Sequence, residues 1–479
     1  MGNQNTPAQD KKKSILITVC VILAAVLVIG LTVYTRLSDS GALLRSKTAA
    51  SSDNFDVSGT MMAYFYNNTY QTYAQYLSYL GADTSVSLKQ QQSAFGGGTW
   101  FDYFVETTKE SVTEMLGLCE GAKAAGVTLD DEDRAEIDAS LEQLEETAKS
   151  YGYSVNQFLA ASTGTGMNLK DVRKCLELTA LASKYRTQFT DGLTYTDEQM
   201  ETFCSENPDS FNGVDYYSYT VSATDFMEKD PNGNPVGETA SASAAAEEAA
   251  NRLAAASSGD EFRSLVKEYV TEHIGADSAD TAAENCFTYH ALASQIPSVS
   301  EWAFDAKAGD TKVVGESGDT SFTVYYLDKP SYRDETKTRH VRHILFTNET
   351  YEDDFQAQDV YAQWEAAGFT EEKIAELAAQ YSEDAGSAEN GGLYEDVARG
   401  ETVNAFNAWL FDGSRKPGDH GRIESEYGWH IMYYVGEGDQ SAWKMNAMAG
   451  LKSEDYSAMV EANSANVTYN DKVIDGINA

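Results

Sequence analysis

Two histidines, one aspartate and two phenylalanines occur in a fixed order near the end of the 479-residue chain. His343 lies in the strand-like run VRHILFTN, and His430 lies in the later run YGWHI. Asp384 follows a helix-like segment, and Phe406 and Phe411 are five residues apart. Imidazole and carboxylate groups can hydrogen-bond a polar ligand group, whereas phenylalanines line apolar pockets.

Several other chemistries are excluded by the same sequence. His340 and His343 form an HxxH pattern, but residues three apart on a strand point to opposite faces and cannot share a metal ion. The glycine run 96–98 lacks the Lys and Ser/Thr of a phosphate-binding loop, and the chain has no nucleophile elbow. With 35 basic and 75 acidic residues, the net charge of −40 also opposes nucleic-acid binding.

The residues of interest lie in the second of two similar segments. From about residue 206, strand-like runs alternate with helices, and the segment ending at Pro330 aligns with the segment ending at Gly438. The matched positions are Trp302, Phe304 and Asp305 with Trp409, Phe411 and Asp412, and Gly309 and Asp310 with Gly418 and Asp419. We interpret them as two tandem α+β modules: a first module over 206–332 and a second module over 333–440.

The first module carries an extra polar segment, residues 229–256. Its Pro/Gly/Asn half predicts a loop, and its Ala/Glu half predicts a solvated helix.

The ordered set in the second module resembles the parvulin family of peptidyl-prolyl cis/trans isomerases, over about residues 341–437. The motifs that carry the resemblance are the HIL triplet, the segment LAAQYSEDAGSAENGG, the two phenylalanines and YGWHI. The resemblance implies an antiparallel four-stranded sheet wrapped by helices, with the module's first and last strands adjacent at its centre. His343 and His430 would then lie side by side.

The resemblance also assigns roles to residues of this sequence. His343, Asp384 and His430 match the catalytic positions of the family. Five residues match substrate-binding positions: Leu393, Thr402, Phe406, Phe411 and Ser425. Two departures reduce the match, because Thr402 replaces the usual Met and Tyr427 replaces a small polar residue.

The activity that the resemblance implies breaks no covalent bond. An X-Pro amide rotates over a barrier of roughly 18–20 kcal/mol, so a catalyst must bind the twisted amide better than either planar form. Leu393, Phe406 and Phe411 would hold the pyrrolidine ring, while Asp384 and the two histidines would tune the field near the carbonyl. No proton transfer is assigned to the histidines, and no cofactor is required.

An alternative is that the histidines only satisfy each other's hydrogen bonds in a non-catalytic module. The first module illustrates this outcome, because Tyr216 replaces His343 and either Phe322 or Thr323 replaces His430. The first module is therefore expected to be inactive.

Residues 58–205 have a helical pattern. Ser154 with Gln157 and Thr196 with Gln199 have the form of capping boxes. Gly126, followed by Val127 and Thr128, predicts a helix stop and restart. The segments AKAAGVTLDDEDRAEID and YTDEQMETFCSENPDSF resemble, more loosely, the chaperone domain of SurA and PrsA foldases. That resemblance implies that residues 441–479 return to pack on the helical domain. An independent helical bundle remains the alternative.

The N-terminal residues predict a membrane anchor. Residues 14–35 contain no charge, and 22 residues span roughly 33 Å as a helix, enough for a bilayer core of about 30 Å. The apolar run is too long for a cleavable signal peptide. Three lysines in the short tail 1–13 predict that this end is cytoplasmic, so the linker 36–57 and everything after it would be extracytoplasmic. The residues after Arg36 carry 31 basic and 74 acidic side chains.

Four of the five cysteines, Cys119, Cys175, Cys204 and Cys286, lie in the exported part. Two disulfides are possible in an oxidising compartment, but we favour four free or buried thiols because the domains are large enough to fold without disulfides.

The sequence therefore predicts an α+β multidomain protein with a transmembrane helix, a helical chaperone-like domain and two parvulin-like modules. Its expected function is an extracytoplasmic peptidyl-prolyl isomerase and chaperone for unfolded exported proteins with X-Pro bonds. The alternatives are a non-catalytic holdase, in which both modules are scaffolds, and a surface adhesion protein.

Overall fold

The computed structural model describes residues 41–83, 85–163, 166–231, 234–351 and 354–477. They form two compact units. The helical unit contains the residues up to Thr194 and those from Lys452 onward, and the two-module unit contains Tyr195–Leu451. The predicted tail 1–13, the anchor 14–35 and the start of the linker lie outside the described residues. None of the helices in the described ranges combines the length and the apolar character needed to cross a membrane.

Two long helices of the helical unit, Trp100–Ala125 and Leu169–Gly192, pack against each other. Its elements in the N-terminal part are α1 (Ala42–Arg45), β1 (Thr48–Ser51), β2 (Asp56–Ser58), α2 (Gly59–Ala74), α3 (Trp100–Ala125), α4 (Asp131–Ser150), α5 (Val155–Thr163) and α6 (Leu169–Gly192). The predicted stop at Gly126 is present, because this glycine has φ 72° and ends α3. Ser154 and Gln157 bond reciprocally, as the sequence predicts.

The C-terminal residues contribute to the core of the helical unit. The second half of α15 (Ala442–Ser464) leads to β13 (Thr468–Tyr469) and α16 (Asp471–Ile474). β13 pairs with β1, opposite Ala50 and Ser51, in a sheet of order β13-β1-β2. Val473, Ile474 and Ile477 are almost fully buried. The first and last parts of the described chain thus share one hydrophobic core.

The two-module unit begins with α7 (Asp197–Glu206), which packs with the start of α15 around Phe211 and Trp443. Thr196 and Gln199 form the predicted capping box at the start of α7. The first module contains β3 (Asn212–Ser222), β4 (Glu228–Lys229), β5 (Pro235–Val236), α8 (Thr239–Ala254), α9 (Gly259–His273), α10 (Ala279–Asn285), β6 (Phe287–Leu292), α11 (Ser300–Asp305), β7 (Thr311–Val314) and β8 (Ser321–Arg333).

The second module repeats this plan without the β4–β5 hairpin, and a 3-10 turn (Ala388–Asn390) takes the place of α10. Its elements are β9 (Lys337–Thr347), α12 (Phe355–Ala366), α13 (Glu371–Tyr381), β10 (Leu393–Val397), α14 (Asn404–Leu410), β11 (His420–Ser425) and β12 (Gly428–Ser441).

Both modules contain a four-stranded antiparallel sheet. The orders are β6-β3-β8-β7 and β10-β9-β12-β11, so the first and last long strands of each module are central neighbours. This confirms the expected α+β architecture of two related sheets. Each sheet packs apolar side chains on both faces, which fixes the register of its central pair because a one-residue slip would invert every side chain.

One expectation for the first module is wrong. The Ala/Glu half of the extra segment forms α8, but α8 is not a solvated helix. Ala246, Ala250 and Leu253 are buried with the core strands of the module. Small alanines let this helix approach the sheet closely, so a composition that is typical of an exposed helix is used here for packing.

The state of the cysteines agrees with our prediction of free, buried thiols. Cys119, Cys175, Cys204 and Cys286 are buried and unpaired in disulfides. Burial raises the pKa of the Cys286 thiol to about 11. These thiols therefore behave as small apolar core residues.

Candidate functional site

His343 and His430 lie side by side on the two central strands of the second module. β9 and β12 pair so that His343 is opposite Met432 and His430 is opposite Leu345. The imidazoles project from the same face of the sheet, with their Nδ1 atoms 3.3 Å apart. The ring planes are 22° from parallel, and each residue is only 4% exposed.

Asp384 completes a polar cluster with His343. Its Oδ2 atom is 3.0 Å from His343 Nε2, and it also accepts hydrogen bonds from the hydroxyls of Ser387 and Tyr394, the latter at 2.9 Å. The hydrogen bond from His343, helped by those from Ser387 and Tyr394, holds the pKa of the carboxyl group well below its usual value. Asp384 is therefore a carboxylate at neutral pH.

His430, at the other end of the cluster, is an uncharged imidazole. Burial, reinforced by the neighbouring His343, lowers the pKa of His430 to about 3. Its Nε2 atom lies 2.7 Å from the Ser425 hydroxyl, whose oxygen accepts a hydrogen bond from the Tyr427 amide. The neutral ring of His430 has one donor and one acceptor nitrogen.

These contacts define a continuous chain of hydrogen bonds. An ionised carboxylate only accepts, so His343 Nε2–H donates to Asp384. Because neutral His430 has one donor and one acceptor nitrogen, it continues the hydrogen-bond chain from His343 Nδ1 to the Ser425 hydroxyl. Four side chains are therefore joined in one chain of hydrogen bonds that ends at the Asp384 charge, and each bond polarises the next.

Phe406 forms the apolar side of the site. Its ring is edge-on to both imidazoles, with centroid distances of 5.2 Å to His343 and 5.7 Å to His430. It is carried by α14 and packs with Val341 and Met432. Phe411, at the end of α14, belongs to the same cluster and lies 5.1 Å below the Arg339 guanidinium.

Leu393 is not brought to the histidines, and that part of the expected pocket is wrong. Leu393 pairs with Arg342, whose side chain bonds Glu371 on α13, so this pair faces away from His343. The next residue, Tyr394, pairs with Val341 and stacks on the His343 ring at 5.3 Å. Because strand side chains alternate between faces, the wall position belongs to Tyr394.

Thr402 lies on the loop that leads into α14. Its hydroxyl is buried and has no hydrogen-bond partner among the described residues. An orphan hydroxyl is an unusual feature in a protein interior, where nearly all polar groups are bonded. Tyr427, the other departure from the expected pattern, is 59% exposed in the turn between β11 and β12.

The equivalent place in the first module is occupied by two tyrosines. Tyr216 lies opposite Leu327, and Tyr325 lies opposite Ser218, the same offsets as those of the histidine pair. The tyrosine ring centroids are 5.6 Å apart, as are those of the histidines. The expectation that Phe322 or Thr323 replaces His430 is therefore wrong, because the strand pairing puts Tyr325 there.

Two members of the cluster were missed from the sequence. Ser387 and Tyr394 both donate to Asp384, and neither has a role in the expected site. Counting strand faces from Gly392, where the His343 amide donates to the glycine carbonyl, would have identified Tyr394. Nothing in the sequence around Ser387 distinguishes it from a turn residue.

Comparisons with known proteins agree with this geometry. Residues 325–436 match the family described as the PPIC-type PPIASE domain. Chaperone SurA of Pseudomonas fluorescens Pf0-1 is 28% identical over 220 residues, 40% of this chain and 49% of that protein. Chaperone SurA of P. fluorescens Pf-5 is 24% identical over 360 residues, 72% of this chain and 78% of that protein.

Foldase protein PrsA 1 of Listeria innocua is 28% identical over 141 residues, 27% of this chain and 45% of that protein. The chain thus spans about half the length of two of these relatives and about three quarters of the third. It carries a parvulin-type PPIC domain and is a homologue of the SurA and PrsA chaperones.

Proposed function

We propose that this protein is an extracytoplasmic peptidyl-prolyl cis/trans isomerase and chaperone, and that the second module is its catalytic part. The observation that carries the proposal is the arrangement of His343, His430 and Asp384 beside the ring of Phe406. These residues place a hydrogen-bonded polar network beside an apolar wall. The wall would bind the proline ring, and the network would bind the carbonyl group that precedes it.

In this mechanism the chain binds the twisted amide rather than reacting with it. Phe406, Phe411, Tyr394 and Thr402 would hold the pyrrolidine ring, with Tyr394 in the role first expected of Leu393. His343, Asp384, His430 and Ser425 would present fixed dipoles to the carbonyl as it rotates. Because the dipoles are already oriented, they cost little reorganisation at the transition state. No proton transfer and no cofactor are required.

The chaperone role is proposed for the helical unit. Its support is the similarity to proteins named chaperone SurA and foldase PrsA. The proposed clients are unfolded or partly folded exported proteins, and the uncharged residues 14–35 would hold the protein at the membrane with its modules outside. The excess of acidic side chains would favour basic or neutral client segments.

An isomerisation assay on a proline-containing peptide tests the catalytic proposal. The purified chain should accelerate the cis/trans exchange, and the triple variant His343→Ala, His430→Ala, Asp384→Ala should abolish the acceleration. Normal turnover by the triple variant would show that the site lies elsewhere. As a matched control, Tyr216→Phe with Tyr325→Phe removes only the hydroxyls of the equivalent pair, keeps the packed rings of the first module, and should leave the rate unchanged.

A holdase would behave differently in the same experiments. The tyrosine pair of the first module is a concrete example of this fold without the polar cluster. If the wild-type chain suppresses aggregation of an unfolded client but does not accelerate isomerisation, both modules act as scaffolds. Binding to a folded ligand without any suppression of aggregation would instead indicate an adhesion protein.

A further inference from the structure

The first module contacts the part of the second module that forms the apolar wall of the site. Asn404, the first residue of α14, donates from Nδ2 to two backbone carbonyls of the first module. The acceptors are Glu284 O at 2.9 Å and Phe287 O at 2.8 Å. Phe406 follows two residues later on the same helix, so this contact holds the base of the helix that carries the wall.

The loop before α14 packs on the same part of the first module. Gly400 has φ 89°, and a Cβ atom added there would lie 3.0 Å from Tyr289 Cβ and 3.2 Å from Tyr289 O. The loop backbone therefore lies directly against β6, an approach that glycine permits. The guanidinium of Arg399 sits 5.0 Å from the centre of the Tyr289 ring.

The loop is also tied to α14 itself. The Gly400 amide donates to Asn407 Oδ1 at 2.7 Å, and Asn407 is 1% exposed. The loop that contains Thr402 is thus fixed between the helix and the first module. A displacement of Tyr289 would be transmitted through Gly400 to both Thr402 and α14.

A second contact reaches the opposite side of the site. Asn285, at the end of α10, donates from Nδ2 to Glu426 Oε2 at 2.6 Å. Glu426 lies in the β11–β12 turn between Ser425 and Tyr427, and Ser425 bonds His430. One segment of the first module, residues 284–289, therefore contacts both the α14 wall and the turn that supports the histidine pair.

We infer that the first module, which lacks the histidine pair, is a positioning domain for the proline pocket of the second, and that Asn404 is the main positioning residue. Asn404 touches no part of the polar cluster. It acts by fixing α14, and therefore Phe406, relative to His343 and His430. This inference rests on the proposed isomerase function and adds to it a division of labour between the two modules.

The test compares Asn404→Asp with the wild-type full chain. Asp has nearly the same shape as Asn but lacks the amide donor, and its carboxylate would face two carbonyl oxygens. Ala408→Asp is the matched control, because it puts the same charge at an exposed position one turn along α14. Asn404→Ala, which removes the donor without adding charge, separates loss of the hydrogen bonds from repulsion.

We expect Asn404→Asp and Asn404→Ala to lower kcat/KM by roughly tenfold or more, mainly by raising KM, because small misplacements of a binding wall weaken catalysis strongly. Hydrogen exchange should become faster in residues 398–411 and 284–292 of these variants. Ala408→Asp should match the wild type in both measurements. Asn285→Asp should show a smaller effect in the same direction, because its contact is exposed.

Three results would overturn the inference: Asn404 variants with wild-type kcat/KM, variants with higher kcat/KM, or unchanged exchange at both segments. Higher kcat/KM would mean that docking of the first module holds the site closed. If the wild-type chain itself is inactive, the proposed function fails, but the exchange measurement still decides whether Asn404 positions α14 on the first module.

Discussion

At the scale of single residues, the burial of His430 gives the second module a defined response to acid. The pKa of this histidine is about 3 in the folded chain and about 6.5 when exposed. Between these values the unfolded chain binds a proton that the folded chain does not, so the free energy of unfolding falls as the pH falls. The contribution is complete above about pH 6.5 and is lost progressively below it.

We predict a slope of up to about 1.4 kcal/mol per pH unit between pH 6 and pH 4 for unfolding of the second module. The measurement is urea unfolding at several pH values, with the wild type compared with His430→Asn, which cannot titrate. Asp384 is present in both proteins, so its contribution cancels in the comparison. Its pKa lies below the usual value in the folded chain, and its own contribution is lost progressively below about pH 5.

The slope should be smaller in His430→Asn by the amount that this histidine contributes. Identical slopes in the two proteins would mean that His430 is protonated in the folded chain. The hydrogen-bond chain through His430 would then be incorrect, because a cationic imidazole donates from both ring nitrogens and accepts at neither.

The residues at the site show where reasoning from the sequence succeeds and where it stops. The types and order of His343, Asp384, Phe406 and His430 were sufficient to predict that they belong together. Leu393 was misassigned because the face of a strand depends on pairing, and a shift of one residue exchanges it with Tyr394. For the same reason, the strand pairing was needed to identify Tyr325 in the first module.

At the scale of elements, one glycine allows the loop between Asp384 and β10 to lie directly against β9. Gly392 has φ 72°, and a Cβ atom there would lie 2.2 Å from the carbonyl oxygen of His343. The His343 amide donates to Gly392 O at 2.8 Å. The backbone of β9 and that of the loop before β10 are therefore in direct contact at this point.

We predict that Gly392→Ala destabilises the second module by about 2 kcal/mol or more, from backbone strain and the clash with His343. Gly413→Ala is the matched control in the same module, because a Cβ atom there meets nothing within 4 Å and φ lies outside the left-handed region. Its effect should stay within about 1 kcal/mol. Thermal unfolding of the two variants measures the difference, and equal midpoints would contradict the close approach.

The elements themselves were largely predictable from local patterns. Capping boxes located helix starts at Thr196 and Ser154, and the stop at Gly126 was correct. The error at α8 has a physical cause: alanine-rich helices are compatible with both solvent and a closely packed interior, and only tertiary contacts decide. The contact of Asn404 with the first module likewise joins residues about 120 positions apart and has no local signal.

At the scale of the whole molecule, the stability of the helical unit depends on the last residues of the chain. Ile474 is 1% exposed and packs in the core that contains β1 and the long helices. We predict that Ile474→Ala costs about 2–5 kcal/mol in that unit. Asp475→Ala, at the adjacent exposed position, is the control and should be close to neutral.

Hydrogen exchange distinguishes a local effect from a general one. Ile474→Ala should accelerate exchange in β1 and α3, which belong to the helical unit. Exchange in β9 and β12, the central strands of the second module, should be unchanged. Equal acceleration in all four elements would show that the two units unfold as one.

The pairing of β1 with β13 also sets the order in which the two units can complete their folding. Ser51 and Thr468 are hydrogen-bonded across a separation of 417 positions. At roughly 5–20 residues per second, a ribosome needs about 20–80 s to make the chain between them. The two-module unit is one continuous stretch that lies wholly between these two residues, so all of it is made before Thr468. Until Thr468 is made, the helical unit has an unpaired edge on β1 and an incomplete core. This chaperone homologue is therefore itself incompletely folded for most of its synthesis.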